Sequence, residues 1–348
     1  YGDHRDLHLS LRRQRQMCIR DRDINAEDLS FEGSWELSLQ DGARTLIGTL
    51  EIEKQGSSWE AHLEGGPVEI IVDTNEIEII ADSRDVRGFI FNRRLKGKII
   101  NDQMSGSYRQ EGAAAQKEKP GTWIAKRGGS IISRSLMPNP QDISGIWTAT
   151  QELDFRKYTM SLTKKGNDWL KVYLPYYDQP DVRCTSIGLP SLVTYSFPFE
   201  VLQSNDRYTF LYEYQGKTRR IWMEKDKPSS YMPPSRMGFS KGTWDGDTLV
   251  IKSNLFEKTI RDFRGELVSE NAEIEERYSL SSDGQKLNAV IIIKDPENYK
   301  KNPIRRRQWV RDKTTEIFPY TCDPDSFYLP MYENSEMQMY MDRSHLRF

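Results

Sequence analysis

The sequence predicts an all-β protein made mainly of two consecutive antiparallel barrels or sandwiches. Three observations carry this reading. Turn signals recur at strand-like spacing: Asp41-Gly42, Gly56-Ser57, Gly65-Gly66, Gly166-Asn167, Asn205-Asp206, Gln215-Gly216, Asp245-Gly246 and Asp283-Gly284. Asp-Gly and its relatives tolerate the positive φ of tight hairpins. Between the turns, apolar and polar residues alternate with the period of a half-buried strand. An opening motif also occurs twice: Leu29-Ser30-Phe31-Glu32-Gly33-Ser34-Trp35 is echoed by Ile143-Ser144-Gly145-Ile146-Trp147.

In the first unit Trp35, Leu37 and Leu39 share one face of a strand. Leu46, Gly48, Leu50 and Ile52 follow, then Trp59, Ala61 and Leu63, then Ile77 with Ile79 and Phe89 with Phe91. Met104, Gly106 and Tyr108 precede a closing strand with Trp123 and Ala125. No amphipathic helix of ordinary length is legible before residue 130. Closing such a series removes its exposed edges. Gly128-Gly129-Ser130 and Pro138-Asn139-Pro140 then mark a linker.

The second unit has longer strands. Tyr158 to Thr163 is expected to pair with Trp169 to Leu174 across Gly166-Asn167. Further strands are read at Phe199 to Gln203, Tyr208 to Tyr214 with Arg219 to Glu224, Thr248 to Ser253, Ala272 to Leu280 with Lys286 to Lys294, and Ile304 to Arg311. Pro-rich stretches at 175–198 and 228–234 read as loops, because proline cannot donate to a ladder. The tail from Asp323 has no clear period and is expected to pack on the second barrel or to be partly disordered. The expected organisation is a foreign or disordered segment over 1–22, a small barrel over 23–128, a linker over 129–141, a larger barrel over 142–323 and a tail over 324–348.

Composition narrows the classes. Residues 10–22 resemble translated sequencing-adapter DNA, and 1–22 are set aside as foreign to the fold; on that reading the natural N-terminus is missing, and the absence of a signal peptide says nothing. Their six Arg and three Asp removed, 44 basic and 49 acidic residues leave a net charge of −5. That acidic balance argues against a nucleic-acid partner. Arg305-Arg306-Arg307 with Trp309 and Arg311 can touch phosphate, but on a strand those arginines split between both faces. The apolar run Ala289 to Ile293 is far too short for a transmembrane segment. Outside 1–22 only His62 and His345, Cys184 and Cys322 remain. No catalytic Ser-His-Asp or Cys-His set, metal site or phosphate loop is legible, so no cofactor is implied. His62 alternates with Ala61 and Leu63, which predicts an outward, solvated side chain.

The second unit resembles an uncharacterised bacterial family of mostly exported proteins. The matching residues are Arg183-Cys184, Gly188-Leu189-Pro190, Phe199-Glu200-Val201 with Gln203, Leu211-Tyr212-Glu213-Tyr214, Arg219-Arg220-Ile221, Gly242 to Val250, Glu276-Arg277, Asp295-Pro296 with Tyr299, and Tyr320-Thr321-Cys322. The first unit looks like lipocalin-like or avidin-like barrels by pattern. Two departures bear on chemistry. Gly238-Phe239-Ser240 stands where the family usually reads Gly-His-Ser, and Glu266 to Ser269 lacks a further histidine. The resemblance implies a periplasmic or secreted location. In an exported protein Cys184 and Cys322 are a candidate disulfide, with two separate buried thiols as the alternative.

The most suggestive polar cluster is Glu200, Tyr212, Glu213, Tyr214, Arg219, Arg220, Trp222 and Glu224. Tyr212 and Tyr214 share a face with Glu213 opposite; Arg220, Trp222 and Glu224 share a face with Arg219 opposite. Carboxylate, phenol and arginine converging in a barrel mouth can bind a polar ligand or do acid–base work. The bland reading is cross-strand ion pairs on a solvated sheet. The leading expectation is an exported binding or structural module that holds a small polar or amphipathic molecule, or a glycan, in its second barrel. The alternative is a cofactor-independent lipocalin-like enzyme (hydratase, isomerase, lyase or cyclase) using a buried Glu or Tyr and an anion-binding Arg. An enzyme needs Glu200 or Glu213 inside a deep pocket; a scaffold keeps them outside.

Overall fold

The computed structural model describes residues 30–42, 44–84, 90–100, 102–112, 120–128, 141–152 and 159–346. The adapter-like segment and almost all of the expected linker lie outside them. The chain folds into two closed barrels. The first is a meander of β1 (Gly33–Asp41), β2 (Arg44–Gln55), β3 (Ser58–Leu63), β4 (Gly66–Asp73), β5 (Glu76–Arg84), β6 (Ile90–Ile100), β7 (Gln103–Glu111) and β8 (Gly121–Arg127). It closes where β8 pairs β1, with Leu39 opposite Trp123 and Trp35 opposite Arg127. Alternation decides its interior: Trp35, Leu37, Leu39, Leu50, Ile79, Leu95, Met104 and Trp123 are all buried there.

The second barrel is formed by β9 (Gly145–Glu152), β10 (Phe199–Gln203), β11 (Arg207–Tyr212), β12 (Lys217–Trp222), β13 (Phe239–Asp245) and β14 (Thr248–Asn254). After a small separate hairpin, β15 (Thr259–Ile260) and β16 (Leu267–Val268), it continues through β17 (Glu273–Leu280), β18 (Lys286–Lys294) and β19 (Ile304–Asp312), which returns to β9. One pair departs from the antiparallel expectation: β12 and β13 run parallel, Ile221 opposite Ser240. The segment 223–238 carries the chain from one end of the barrel back to the other, as a parallel pair requires.

Both barrels start the same way. Trp147 Nε1 donates to Ile143 O at 2.9 Å, and Trp35 Nε1 donates to Phe31 O at 2.8 Å. Each ring plugs one end of its barrel. Gly145 and Gly33, at φ +107° and +128°, let the chain turn in before the tryptophan.

The expected strand pair around Gly166-Asn167 is instead a helix, α1 (Lys164–Val172). Thr163 caps it by accepting from Gly166 N, and Gly166 sits so close to Asn298 O that a Cβ would lie 2.6 Å away. The glycine serves close packing rather than a hairpin. With short helices α2 (Pro175–Asp178) and α3 (Ser191–Thr194), the β15–β16 hairpin and residues 295–303, α1 belongs to the segments outside the barrel strands, here called the cap. The tail adds α4 (Asp325–Glu333) and α5 (Met337–Asp342), whose Phe327, Met331 and Tyr340 pack with Tyr177 and Val182.

The barrels meet side to side. Arg306 pairs with Glu64 at 3.3 Å and donates to Thr49 Oγ1 at 2.8 Å, and Lys301 reaches Glu53 at 2.5 Å. Ile304 N donates to Glu64 O. This junction corrects the reading of His62. Its side chain points out of the first barrel, but it is only 3% exposed. Alternation separates inside from outside of a barrel; it does not reveal where a second barrel docks.

Candidate functional site

The structure disperses the eight-residue polar cluster. Glu200 lies on the outer face of β10, between buried Phe199 and Val201. Arg220 and Glu224 are exposed, and Trp222 lies half-buried outside the barrel between Arg207 and Lys225. Glu213 leaves the strand and accepts from Phe318 N of the tail at 3.1 Å. Tyr214, in the turn after β11, is buried in the same core as Tyr212 but directs its hydroxyl to Asp181 in the cap instead of toward Arg219. The reason is a helical turn, Tyr214–Gly216, that breaks the strand phase at residue 213. Of the eight, only Tyr212 and Arg219 meet inside the barrel.

They meet a carboxylate that the cluster did not include. Arg219 holds Glu276 with two bonds, Nη1 to Oε2 at 3.0 Å and Nη2 to Oε1 at 2.6 Å, and Tyr278 Oη donates to Oε2 at 2.7 Å. Arg219 also donates to Ser240 and Ser253. Burial opposes the charge on Arg219, but Glu276 outweighs it and raises the pKa. Burial pushes the Tyr212 and Tyr278 phenols up. Glu276 was legible: it falls in phase with Ile274 and Tyr278, on the inward face of β17. All these groups are buried, and all but the Tyr212 hydroxyl are bonded to one another, which is the condition for ion pairs in low dielectric.

A second cluster lies in the cap. Asp181 Oδ2 accepts from Tyr214 Oη at 2.8 Å and from Tyr195 Oη at 3.3 Å. Tyr173 stands nearby, packed against Gly265, where any Cβ would strike its ring. Burial raises the pKa of all three phenols, and Asp181 reinforces it. No strand phase flags Asp181, because it sits in a Pro-rich loop. The loop is tied to the tail: Cys184 and Cys322, Cα atoms 5.7 Å apart, are joined by a disulfide.

The third feature is open. A cleft of about 440 Å³ at the plugged end of the second barrel is lined by Asp142, Ser144, Gln203, Asn205, Tyr208 and Trp244, among others. Tyr208 Oη accepts from Trp244 Nε1 at 3.0 Å and from Gln203 Nε2 at 3.1 Å, which fixes both rings in the wall. Ser144, through its hydroxyl and its backbone N–H, holds the Asp142 carboxyl below the usual range, so it is ionised at neutral pH. Gln203 and Trp244 belong to motifs quoted above, but sequence gave no reason to join them to Asp142.

No family model matches the chain. No curated protein matches it either. Among solved structures, it is similar to a candidate outer membrane protein from Bacteroides fragilis, at 11% identity and a TM-score of 0.24 over 82% of this chain and 99% of that one. A DUF3598-family protein of unknown function from Nostoc punctiforme gives 9% identity and a TM-score of 0.22, over 81% and 96%. Scores this low carry no argument about function. No helix among the described residues is long and apolar enough to cross a membrane.

Proposed function

We propose that the protein is an exported binding module whose second barrel takes a small polar molecule of glycan type in the cleft beside its plugged end. The observation that carries this is the cleft's lining: a half-exposed indole fixed by hydrogen bonds, ringed by a carboxylate, two carboxamides and hydroxyls. Flat ring faces suit the C–H faces of sugars, and the polar groups suit their hydroxyls. The Cys184–Cys322 bridge supports an oxidising, extracytoplasmic location. Titration with mono- and disaccharides, followed by tryptophan fluorescence, tests the reading. Saturable binding that weakens at least tenfold in Trp244→Ala and Asp142→Asn is expected. Binding unchanged in both variants, or no binding across the series, rejects it.

The enzymatic reading rests on Arg219, Tyr212 and Glu276 converging inside the barrel. It ranks second because both Glu276 oxygens are already occupied and the group is sealed from solvent.

A further inference from the structure

The cleft beside the plugged end of the second barrel carries charge of one sign. Of the side chains that line it, Asp142 alone is charged at neutral pH; the rest are hydroxyls, carboxamides, a thioether and an indole. Bases stand close by, but each is engaged elsewhere. Arg311 lies over Trp147 and donates to the backbone carbonyls of Asp142, Ser144 and Gly284. Lys241 donates to Met223 O and pairs with Asp226 at 2.9 Å. Arg207 is 3.6 Å from Asp206 and lies against the Trp222 ring. None of these three side chains lines the cleft. An anionic ligand would give up water there without meeting a counter-charge, whereas a cation meets a carboxylate.

That carboxylate is fixed relative to the indole by hydrogen bonds in series. Trp244 Nε1 donates to Tyr208 Oη, and Tyr208 Oη accepts in turn from Gln203 Nε2. Gln203 Oε1 accepts from Ile143 N at 3.0 Å, and its Nε2 also reaches Gln141 O at 3.1 Å. One carboxamide thus ties the wall that bears Trp244 to the residues on either side of Asp142. Asp142 itself is exposed, and its Oδ1 accepts from Ser144 N at 2.9 Å. A carboxylate has about four lone-pair sites, so this bond orients the group and leaves room for further donors. A cleft held in shape before binding loses less to ordering when a ligand arrives.

We propose that the cleft selects hexosamines in their ammonium form, the ammonium donating to the Asp142 carboxylate beside Trp244 and the sugar hydroxyls bonding the polar groups of the wall. This rests on the sugar-binding reading above and narrows it to a cationic sugar. Indole faces attract cations more strongly than other side-chain rings do, which adds to the pull of the carboxylate. An ion pair open to water is a modest contribution, so the effect is a severalfold preference among sugars rather than an absolute requirement.

The test titrates glucosamine and glucose separately into the full chain with its disulfide intact, followed by amide chemical shifts. It is run at about pH 6, where an amine of this class is protonated. The two sugars differ at one substituent, so the wall contacts of the other hydroxyls are common to both. Glucosamine should bind at least threefold tighter. Raising salt from about 0.01 M to about 1 M shortens the screening length from about 30 Å to about 3 Å; it should bring the two sugars within twofold of each other and leave glucose as it was. Asp142→Asn should also bring them within twofold. If that variant binds neither sugar measurably, the salt series decides. A smaller preference in the wild type, or one that survives high salt or Asp142→Asn, overturns the assignment and leaves the sugar-binding reading standing. Failure of both sugars to bind the wild type rejects the two together.

Discussion

The guanidinium of Arg311 lies 4.5 Å over the ring of Trp147 while its Nη atoms donate to the carbonyls of Asp142 and Ser144. Arg127 does the same to Trp35 at 4.2 Å, donating to the carbonyls of Ser30 and Glu32. In each barrel the last strand thus clamps the entry of the first. The short sequence echo around the two tryptophans is one visible part of a repeated closure device, and the arginines are the other.

Truncating the clamp should destabilise the barrel that contains it. Arg311→Ala loses charge-assisted bonds and the ring contact, at a cost of about 2–4 kcal/mol. Arg311→Lys should recover only part, since one ammonium cannot span both carbonyls. Urea denaturation followed by hydrogen exchange in each barrel checks this; equal loss of protection in both barrels would contradict it.

Arg219→Met should cost about 3–5 kcal/mol by stranding Glu276 in the barrel interior. Pairing it with Glu276→Leu should restore part of the loss, since Ser240 and Ser253 still bond each other at 2.9 Å. The double-mutant cycle in chemical denaturation measures the coupling.

Burial lowers the His62 pKa from 6.5, with Lys301 adding to it and Glu60, Glu51 and Glu53 opposing. The folded state therefore binds fewer protons than the unfolded one once pH falls toward 6.5. Stability from the neutral imidazole is complete above that pH and is lost progressively below it, down through the lowered folded value. Wild type should lose more stability between pH 7.5 and 5.5 than His62→Gln, measured by denaturant midpoints. Identical pH dependence would place the imidazole in contact with water.

Replacing Cys184 and Cys322 by serine opens a loop of 138 residues, which the chain-entropy account values at about 4–5 kcal/mol. Faster amide exchange should concentrate in the tail, beginning near Phe318 and Tyr320, which sit on Glu213 and Tyr214.

Gly166→Ala sets two effects against each other. Alanine favours a helix by about 1 kcal/mol over glycine. Here its Cβ would press on Asn298 O, so the variant should melt lower, not higher.

Strand positions, hairpin turns and most inward faces were legible because they depend on neighbours two residues apart. That local period put Trp35, Leu37 and Leu39 on one face of their strand, and all three are buried; the same period applied to β17 puts Glu276 in phase with Ile274 and Tyr278. The same logic failed at α1, where an apolar stretch with Gly-Asn reads as a hairpin until Asn298 is known to lie against the glycine.

By itself, then, the sequence determined two β units, most of their turns and most of the residues that face in. Only the tertiary structure decided that His62 is covered, that β12 and β13 run parallel, and that Asp142 shares a cleft with Trp244. It alone brought Asp181 against Tyr195 and Tyr214, drawn from separate segments. The physical reason is range: alternation is a property of one extended segment, whereas sites and junctions arise where distant segments exclude water together, and no local pattern encodes which ones will meet.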